Sequence, residues 1–419
     1  MHVELMEVSA PGLAYICLGG FVVAFSVVSL LVREKFNVNE VLLGTIFGIA
    51  MGPYGADIFN PRSWGPLEEK ITLEVTRVVL AIGLFIIGID LPKNYMYRHI
   101  RGLLVMVVPT MAIGWVLIAG FLKMLFPKLG FISCLAISAC LTPTDPIICA
   151  SIVGGKFAER YVPLTLRQLL SAESAANDGL AYPFLTITLF LTLESSTPVA
   201  FEKWFLIGCL YQVVLGTVLG SVLGVTFSFI MKLSMRKGLI DTESYLTQQL
   251  ALGLLTMGIV STIGSDDLLA AFAAGSALSW DGKFNVHIEN ETFASIIDFV
   301  LNCACFIYIG AWLPFEKFNS EALGIEVWRL FVLLIVVILL RRIPALLSLG
   351  PWVPEIRDWK EALFCGHFGP VRFYFTSLEM KDLIGTRWAS VPCLFRVWPL
   401  PSFQDLMILR KANQKYWLP

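Results

Sequence analysis

The chain is short of charge: Asp, Glu, Lys and Arg together make up 15% of its 419 residues. An ordinary soluble domain carries about 25%. With 57% apolar residues and a mean hydropathy of +0.75, the chain reads as a protein that crosses a lipid bilayer many times. A net charge of -1 gives no basis for a nucleic-acid partner. The nine cysteines form no CxxC pair, and an odd count without a framework argues against structural disulfides and zinc. They are expected to be small core residues. No cleavable signal peptide is expected, because the first apolar run, 12–32, is long enough to span.

Further candidate spans follow at 40–58, 71–91, 102–126, 131–153, 168–193, 204–231, 246–264, 268–280, 293–313 and 328–349. All are expected to be helical, since lipid offers no partner to a backbone amide. The loops after spans 1, 3, 5 and 7 hold eleven Lys and Arg residues: Arg33, Lys35, Lys93, Arg98, Arg101, Lys156, Arg160, Arg167, Lys232, Arg236 and Lys237. The loops after spans 2, 4 and 6 hold five: Arg62, Lys70, Lys123, Lys128 and Lys203. That asymmetry places the odd-numbered loops in the cytoplasm and the N-terminus outside.

Against this background two aspartates stand out. Asp145 lies in SCLAISACLTPTDPIICASIV and Asp178 in LLSAESAANDGLAYPFLTITLFL. A carboxylate at the bilayer centre costs at least about 2.5–3.5 kcal/mol, so it marks a functional site by default. Pro143 and Pro146 flank the first, and Gly179 and Pro183 follow the second. Broken helices carrying acids at mid-bilayer depth describe a cation site in a secondary transporter. In a helix, Ser174 and Asp178 share one face, and Glu173 and Asn177 share the adjacent one. Carbonyls freed around Thr142 and Thr144 stand available to a dehydrated Na⁺ or Li⁺ beside Asp145. Burial favours the protonated aspartate and a bound cation the ionised one. A proton and a metal ion therefore exclude each other, which suffices for exchange, with Asp178 as the competing group and Asp145 as its partner.

Other polar residues read less sharply. Arg341 and Arg342 end the run LFVLLIVVILLRR, either as a cytoplasmic flank or as a buried cation paired with Glu173. Asp266 and Asp267 interrupt GSDDLLAAFAAG, where Ser265 or Asp266 suits a helix N-cap. Glu74 and Arg77 suit an intrahelical pair, Asp298 an interface, and Asp90 a helix end. His367 alone of the four histidines falls in a late span, as a proton-sensitive residue or an ordinary hydrogen-bonded one. An intramembrane aspartyl protease would want a GxGD setting, which neither TDP nor NDG supplies.

The motifs LTPTDP at 141–146, GKFAERYVP at 155–163, LRQLLSAESAANDG at 166–179, GSDDLLAAFAAG at 264–275 and EALFCGHFGP at 361–370 resemble those of fungal plasma-membrane sodium/proton antiporters, in the cation/proton antiporter superfamily. The resemblance covers roughly residues 10–370. It implies an all-α polytopic fold of thirteen helices, two inverted six-helix repeats joined by a linker helix, with broken crossing helices and a homodimer interface. It further implies a transporter and not an enzyme, without cofactor, exporting Na⁺ or Li⁺, in some members K⁺, in exchange for H⁺. By motif, Asp178 is the ion- and proton-binding carboxylate, Asn177 its orienting neighbour, Ser174 a ligand, and Thr144 and Asp145 part of the unwound helix. Glu173 is the structural acid paired with Arg341 or Arg342. Asp266, Asp267 and His367 match motif positions of less defined role.

The expected organisation is an N-terminal segment 1–10, an antiporter domain 11–370 and a divergent segment 371–419. In the last, Glu379, Lys381, Asp382 and Arg387 interrupt any apolar run of about 18 residues. The final spans of the resemblance are therefore expected to be incomplete. A chain of this kind is expected to insert in the membrane but exchange little Na⁺ or Li⁺, and a K⁺/H⁺ exchanger or a transport-inactive copy with a binding or sensing role are the alternatives.

Overall fold

The computed structural model describes residues 9–35, 40–65, 68–146, 162–239, 242–280, 293–319 and 326–367, with 149, 153, 154, 158 and 160. Among these residues every regular element is helical. The divergent segment expected after Pro370 lies outside them, as do the side chains of Arg33 and Lys35. The helical stretches Ala10–Ser29, Lys70–Asp90, Ile100–Leu125, Thr197–Arg236 and Val327–Trp352 are long and apolar enough to cross a bilayer.

The chain divides into two compact units, residues 1–79 with 292–315 and residues 80–291 with 316–419. In the first, the helices Glu40–Met51 and Phe293–Trp312 meet through glycine. A Cβ on Gly48 would lie 2.1 Å from the Ile307 carbonyl oxygen, and one on Gly310 2.2 Å from that of Thr45. Small residues are what allow two helix backbones to approach this closely in lipid. Phe25 packs on Phe299 at 5.7 Å between ring centres. Thr72 and Tyr308 share a 2.6 Å hydroxyl contact. Arg77 pairs with Glu74 at 3.4 Å, and Asn302 donates to Asp298 at 2.9 Å within its own helix. Span 2 ends at Met51, earlier than the sequence suggests, because Gly52 and Pro53 follow and proline disfavours helix in the residue before it.

The second unit holds the broken helices. The helix Phe131–Leu141 stops before Pro143, and Thr142–Asp145 are not helical. The expected span 168–193 is two helices, Leu164–Leu180 and Tyr182–Leu193, parted at Ala181 before Pro183. Arg167, assigned from sequence to a loop, lies in the first turn of the former. The expected span 328–349 is likewise broken, into Val327–Leu340 and Ile343–Leu349, with Arg341 and Arg342 at the break. Span 7 is longer than expected, continuous from Thr197 to Arg236, and its stretch Trp204–Val214 is π-helical. Ile118, Leu122, Leu141, Leu333 and Val337 form a buried apolar cluster. Trp115 ties the helix Pro109–Leu125 to Phe131–Leu141, donating from Nε1 to the Leu135 carbonyl at 2.7 Å and accepting from Ser138 at 2.6 Å. Of the eight described cysteines seven are buried, and all eight are free thiols.

Candidate ion site at the helix breaks

At Thr142–Asp145 the prolines remove backbone donors, so carbonyls at the end of the Phe131–Leu141 helix need partners from elsewhere. Arg341 supplies them. Its Nη1 donates to the carbonyls of Leu141, Thr142 and Pro143 at 3.0, 3.3 and 2.9 Å, and its side chain is fully buried. A cation at a helix C-terminus also meets the negative end of the helix dipole. The carbonyl of Thr142, expected from sequence to face an ion, is thus engaged by the guanidinium. Close approach depends on Gly114, where a Cβ would lie 2.4 Å from the Arg341 carbonyl oxygen.

Arg342 turns to another partner. It makes a two-pronged pair with Glu173, Nη1 to Oε1 at 2.7 Å and Nη2 to Oε2 at 2.8 Å, with both side chains buried. This geometry satisfies both carboxylate oxygens, the arrangement that makes a buried ion pair tolerable.

One turn along the same helix, Asn177 grips the unwound segment at both edges of Thr144. The Thr144 amide donates to Asn177 Oδ1 at 3.3 Å, and Asn177 Nδ2 donates to the Thr144 hydroxyl at 2.7 Å. Ser174 donates to the same hydroxyl at 3.0 Å, and Asn177 Nδ2 also reaches Glu173 at 3.5 Å. A continuous polar chain therefore runs Arg342–Glu173–Asn177–Thr144–Ser174. The residues joined by the amide clip, Thr144 and Asn177, each immediately precede an aspartate. Asp145 and Asp178 are 2% and 0% exposed. Beyond Asp145 the helical pattern resumes, with the Cys149 amide donating to the Asp145 carbonyl at 2.9 Å.

Asp266 and Asp267, both buried, open the helix Asp267–Leu278. Asp266 is its N-cap, accepting from the Leu269 amide at 2.9 Å, so of the two capping residues open from sequence the structure uses Asp266. Its other oxygen packs on the helix of Asp178: a Cβ on Gly179 would lie 3.0 Å from Asp266 Oδ2 and 2.4 Å from Leu269 Cβ. Five candidates lie in one hydrogen-bonded set, Thr144, Glu173, Ser174, Asn177 and Arg342, and Asp145 and Asp178 follow two of its members in the chain. Arg341 abuts it at the helix end, and Asp266 meets it at Gly179. His367 is exposed at the end of the helix Trp359–His367. Among the described residues no group of three or more His, Cys, Asp or Glu forms a metal cluster. Sequence reasoning passed over His99, whose Nδ1 lies 2.6 Å from Glu355 and whose ring stacks on Tyr95 at 4.3 Å. Burial, then the Glu355 carboxylate, push the Tyr95 phenol well above its ordinary range. A histidine in a short loop carries no periodicity that would have marked it.

Residues 21–378 match the family described as the sodium/hydrogen exchanger, transmembrane. A probable Na⁺/H⁺ antiporter of Schizosaccharomyces pombe is 44% identical over 367 residues, covering 87% of this chain and 48% of the relative. A Na⁺/H⁺ antiporter of Saccharomyces cerevisiae is 44% identical over 417 residues, covering 99% of this chain and 41% of the relative. The chain thus spans about half the length of the curated relatives it matches. Among solved structures, the sodium proton antiporter MjNhaP1 of Methanocaldococcus jannaschii aligns with a TM-score of 0.63 and 17% identity, over 85% of this chain and 82% of that one. At that identity the likeness shows a shared fold.

Proposed function

Because the chain belongs to the sodium/hydrogen exchanger family, a family of transmembrane proteins, we propose that it exchanges Na⁺, and Li⁺, for H⁺ at the buried Asp145–Asp178 site. The observation that carries this reading is the clip between Thr144 and Asn177. It ties the unwound segment to the helix of Asp178 through the residue that precedes each of two buried aspartates, and carboxylate oxygens are ligands that a small hard cation takes when it leaves water. The Glu173–Arg342 pair and the Arg341 cap neutralise the other charges and dipoles of the break, so the acids answering to cation and proton are Asp178 and Asp145.

Exchange follows from competition. With the cation bound, the carboxylate is ionised; with the cation gone, burial favours its protonated form. Each form is compatible with one cargo, and movement of the site between the two faces of the membrane carries one ion out and the other in. We further assign the chain to the plasma membrane, with the N-terminus outside, as a homodimer.

The test is Na⁺-driven dissipation of a proton gradient in proteoliposomes. Two forms are compared at equal protein: the 419-residue chain, and one whose residues 371–419 are replaced by the aligned segment of a fungal relative. Exchange in either form that is lost on Asp178→Asn supports the proposal. Absence of exchange from both forms, or its survival in Asp178→Asn, overturns it. Substituting K⁺ for Na⁺ in the same vesicles measures the alternative cargo.

A further inference from the structure

The π-helical stretch Trp204–Val214 touches two helix breaks at once. A π turn bonds residue i to i+5, widens the helix, and is frequently found at functional sites. On one side Trp204 donates from Nε1 to the Pro183 carbonyl at 2.8 Å, at the start of the helix that follows Asp178. There Gly208 leaves room for Thr186, whose Oγ1 would lie 2.6 Å from a Cβ.

On the other side it engages the turn 263–266. Tyr211 Oη donates to the Ile263 carbonyl at 2.6 Å, and Gln212 Nε2 to the Gly264 carbonyl at 2.8 Å. Ser265 answers, its Oγ donating to the carbonyls of Tyr211 and Gln212 at 2.7 and 3.1 Å. Gln212 and Ser265 are 5% and 0% exposed. Gly264, at φ +82°, gives the left-handed turn that ends the preceding helix. One residue past Ser265, Asp266 caps its helix and packs on Gly179.

We propose that Gln212 and Ser265 are positioning residues of the ion site. They lock the turn to the π-helical stretch and so set where Asp266 meets the helix of Asp178. The inference rests on the exchange reading above. The Gly264 and Ser265 amides close the turn onto Val260, while the carbonyls of Ile263 and Gly264 end a helix in a setting where lipid offers no donor and take theirs from Tyr211 and Gln212. Removing one of the side-chain bonds loosens the hold of the π-helical stretch on the turn, and the Asp266 cap loosens with it.

The experiment uses the full chain, in both forms of the assay above, with Gln212→Leu and Ser265→Ala. Leucine keeps volume and removes the donor; alanine removes one hydroxyl. Hydrogen exchange at the Leu269 amide reads the joint, and the split between apparent KM for Na⁺ and maximal rate reads its effect on the site. Each variant is expected to speed Leu269 exchange and raise apparent KM about five- to tenfold, the worth of one neutral hydrogen bond, with the maximal rate within about twofold. Unchanged Leu269 exchange in both variants overturns the joint. Faster Leu269 exchange with unchanged KM, or a fall in maximal rate alone, overturns the positioning role. A parent chain that shows no Na⁺/H⁺ exchange, with Leu269 still released in the variants, overturns the transport reading and leaves the joint standing.

Discussion

Arg341 and Arg342 are neighbours in the chain with separate duties, and the difference is measurable. Arg342 is held by both oxygens of Glu173. Glu173→Ala leaves that guanidinium buried without its counter-charge, and removing one partner of a buried pair costs about 3–5 kcal/mol. The melting temperature in detergent should fall further for Glu173→Ala than for Asp178→Asn, which swaps a carboxylate for a nearly isosteric amide. Equal melting temperatures would mean that Glu173 contributes little to holding the fold. Arg341→Met keeps the stem and removes the donors of three carbonyls. A hydrogen bond to a charged group contributes about 1.5–3 kcal/mol, so this variant should melt early while Glu173–Arg342 stays intact. A melting curve matching the parent would show that the end of the Phe131–Leu141 helix finds other donors. From sequence the two arginines could not be told apart, because both follow the same apolar run and nothing in the sequence says which of them faces Glu173. Only the break at Leu340 turns them in different directions.

At the scale of elements, helix breaks and helix contacts carry the design. The break at 142–145 was legible because two prolines surround Asp145. The break at Ala181 was half legible: Gly179 and Pro183 were visible, yet apolar content made 168–193 look like one span. The π-helical stretch was not legible, since no residue pattern encodes an i to i+5 bond and its sequence WFLIGCLYQVV suits any buried helix. Glycine contacts sit between these cases. Gly220 lies where a Cβ would come within 2.1 Å of the Ala270 carbonyl oxygen, and Gly224 where one would come within 2.3 Å of that of Ala274. Both belong to the helix Leu215–Arg236 packed on Asp267–Leu278. Gly220→Ala therefore forces backbone apart, and overpacking of this kind costs about 1–3 kcal/mol. Gly258 has nothing within 4 Å of its would-be Cβ, and glycine within a helix is about 0.5–1 kcal/mol worse than alanine. Gly258→Ala should hold or raise the melting temperature under the conditions in which Gly220→Ala lowers it. A loss of similar size in both would indicate that the contact with Asp267–Leu278 yields readily.

For the whole molecule, the membrane character was plain in the sequence and so was the order of the motifs, because lipid demands long apolar helices and punishes every stray charge. Orientation is the property that composition sets most directly. Eleven basic residues lie in the odd-numbered connections or the helix ends beside them against five at the even ones, and that bias directs these ends to the cytoplasm. Lys128, in the turn between Pro109–Leu125 and Phe131–Leu141, and Lys237, after Leu215–Arg236, are both exposed. Between them the chain passes through the broken helix from Phe131, the pair Leu164–Leu180 and Tyr182–Leu193, and the long helix from Thr197. Three crossings put two points on opposite sides. In intact cells, Lys128→Cys should react with a membrane-impermeant maleimide, and Lys237→Cys only after permeabilisation. The background for both variants replaces the half-buried Cys209 and also Cys393, which lies outside the described residues, by serine; the other described cysteines are buried. Labelling of both cysteines from outside would mean an even number of crossings between them. Labelling of Lys237→Cys alone from outside would keep three crossings and reverse the orientation, with the basic loops outside the cell against the charge bias.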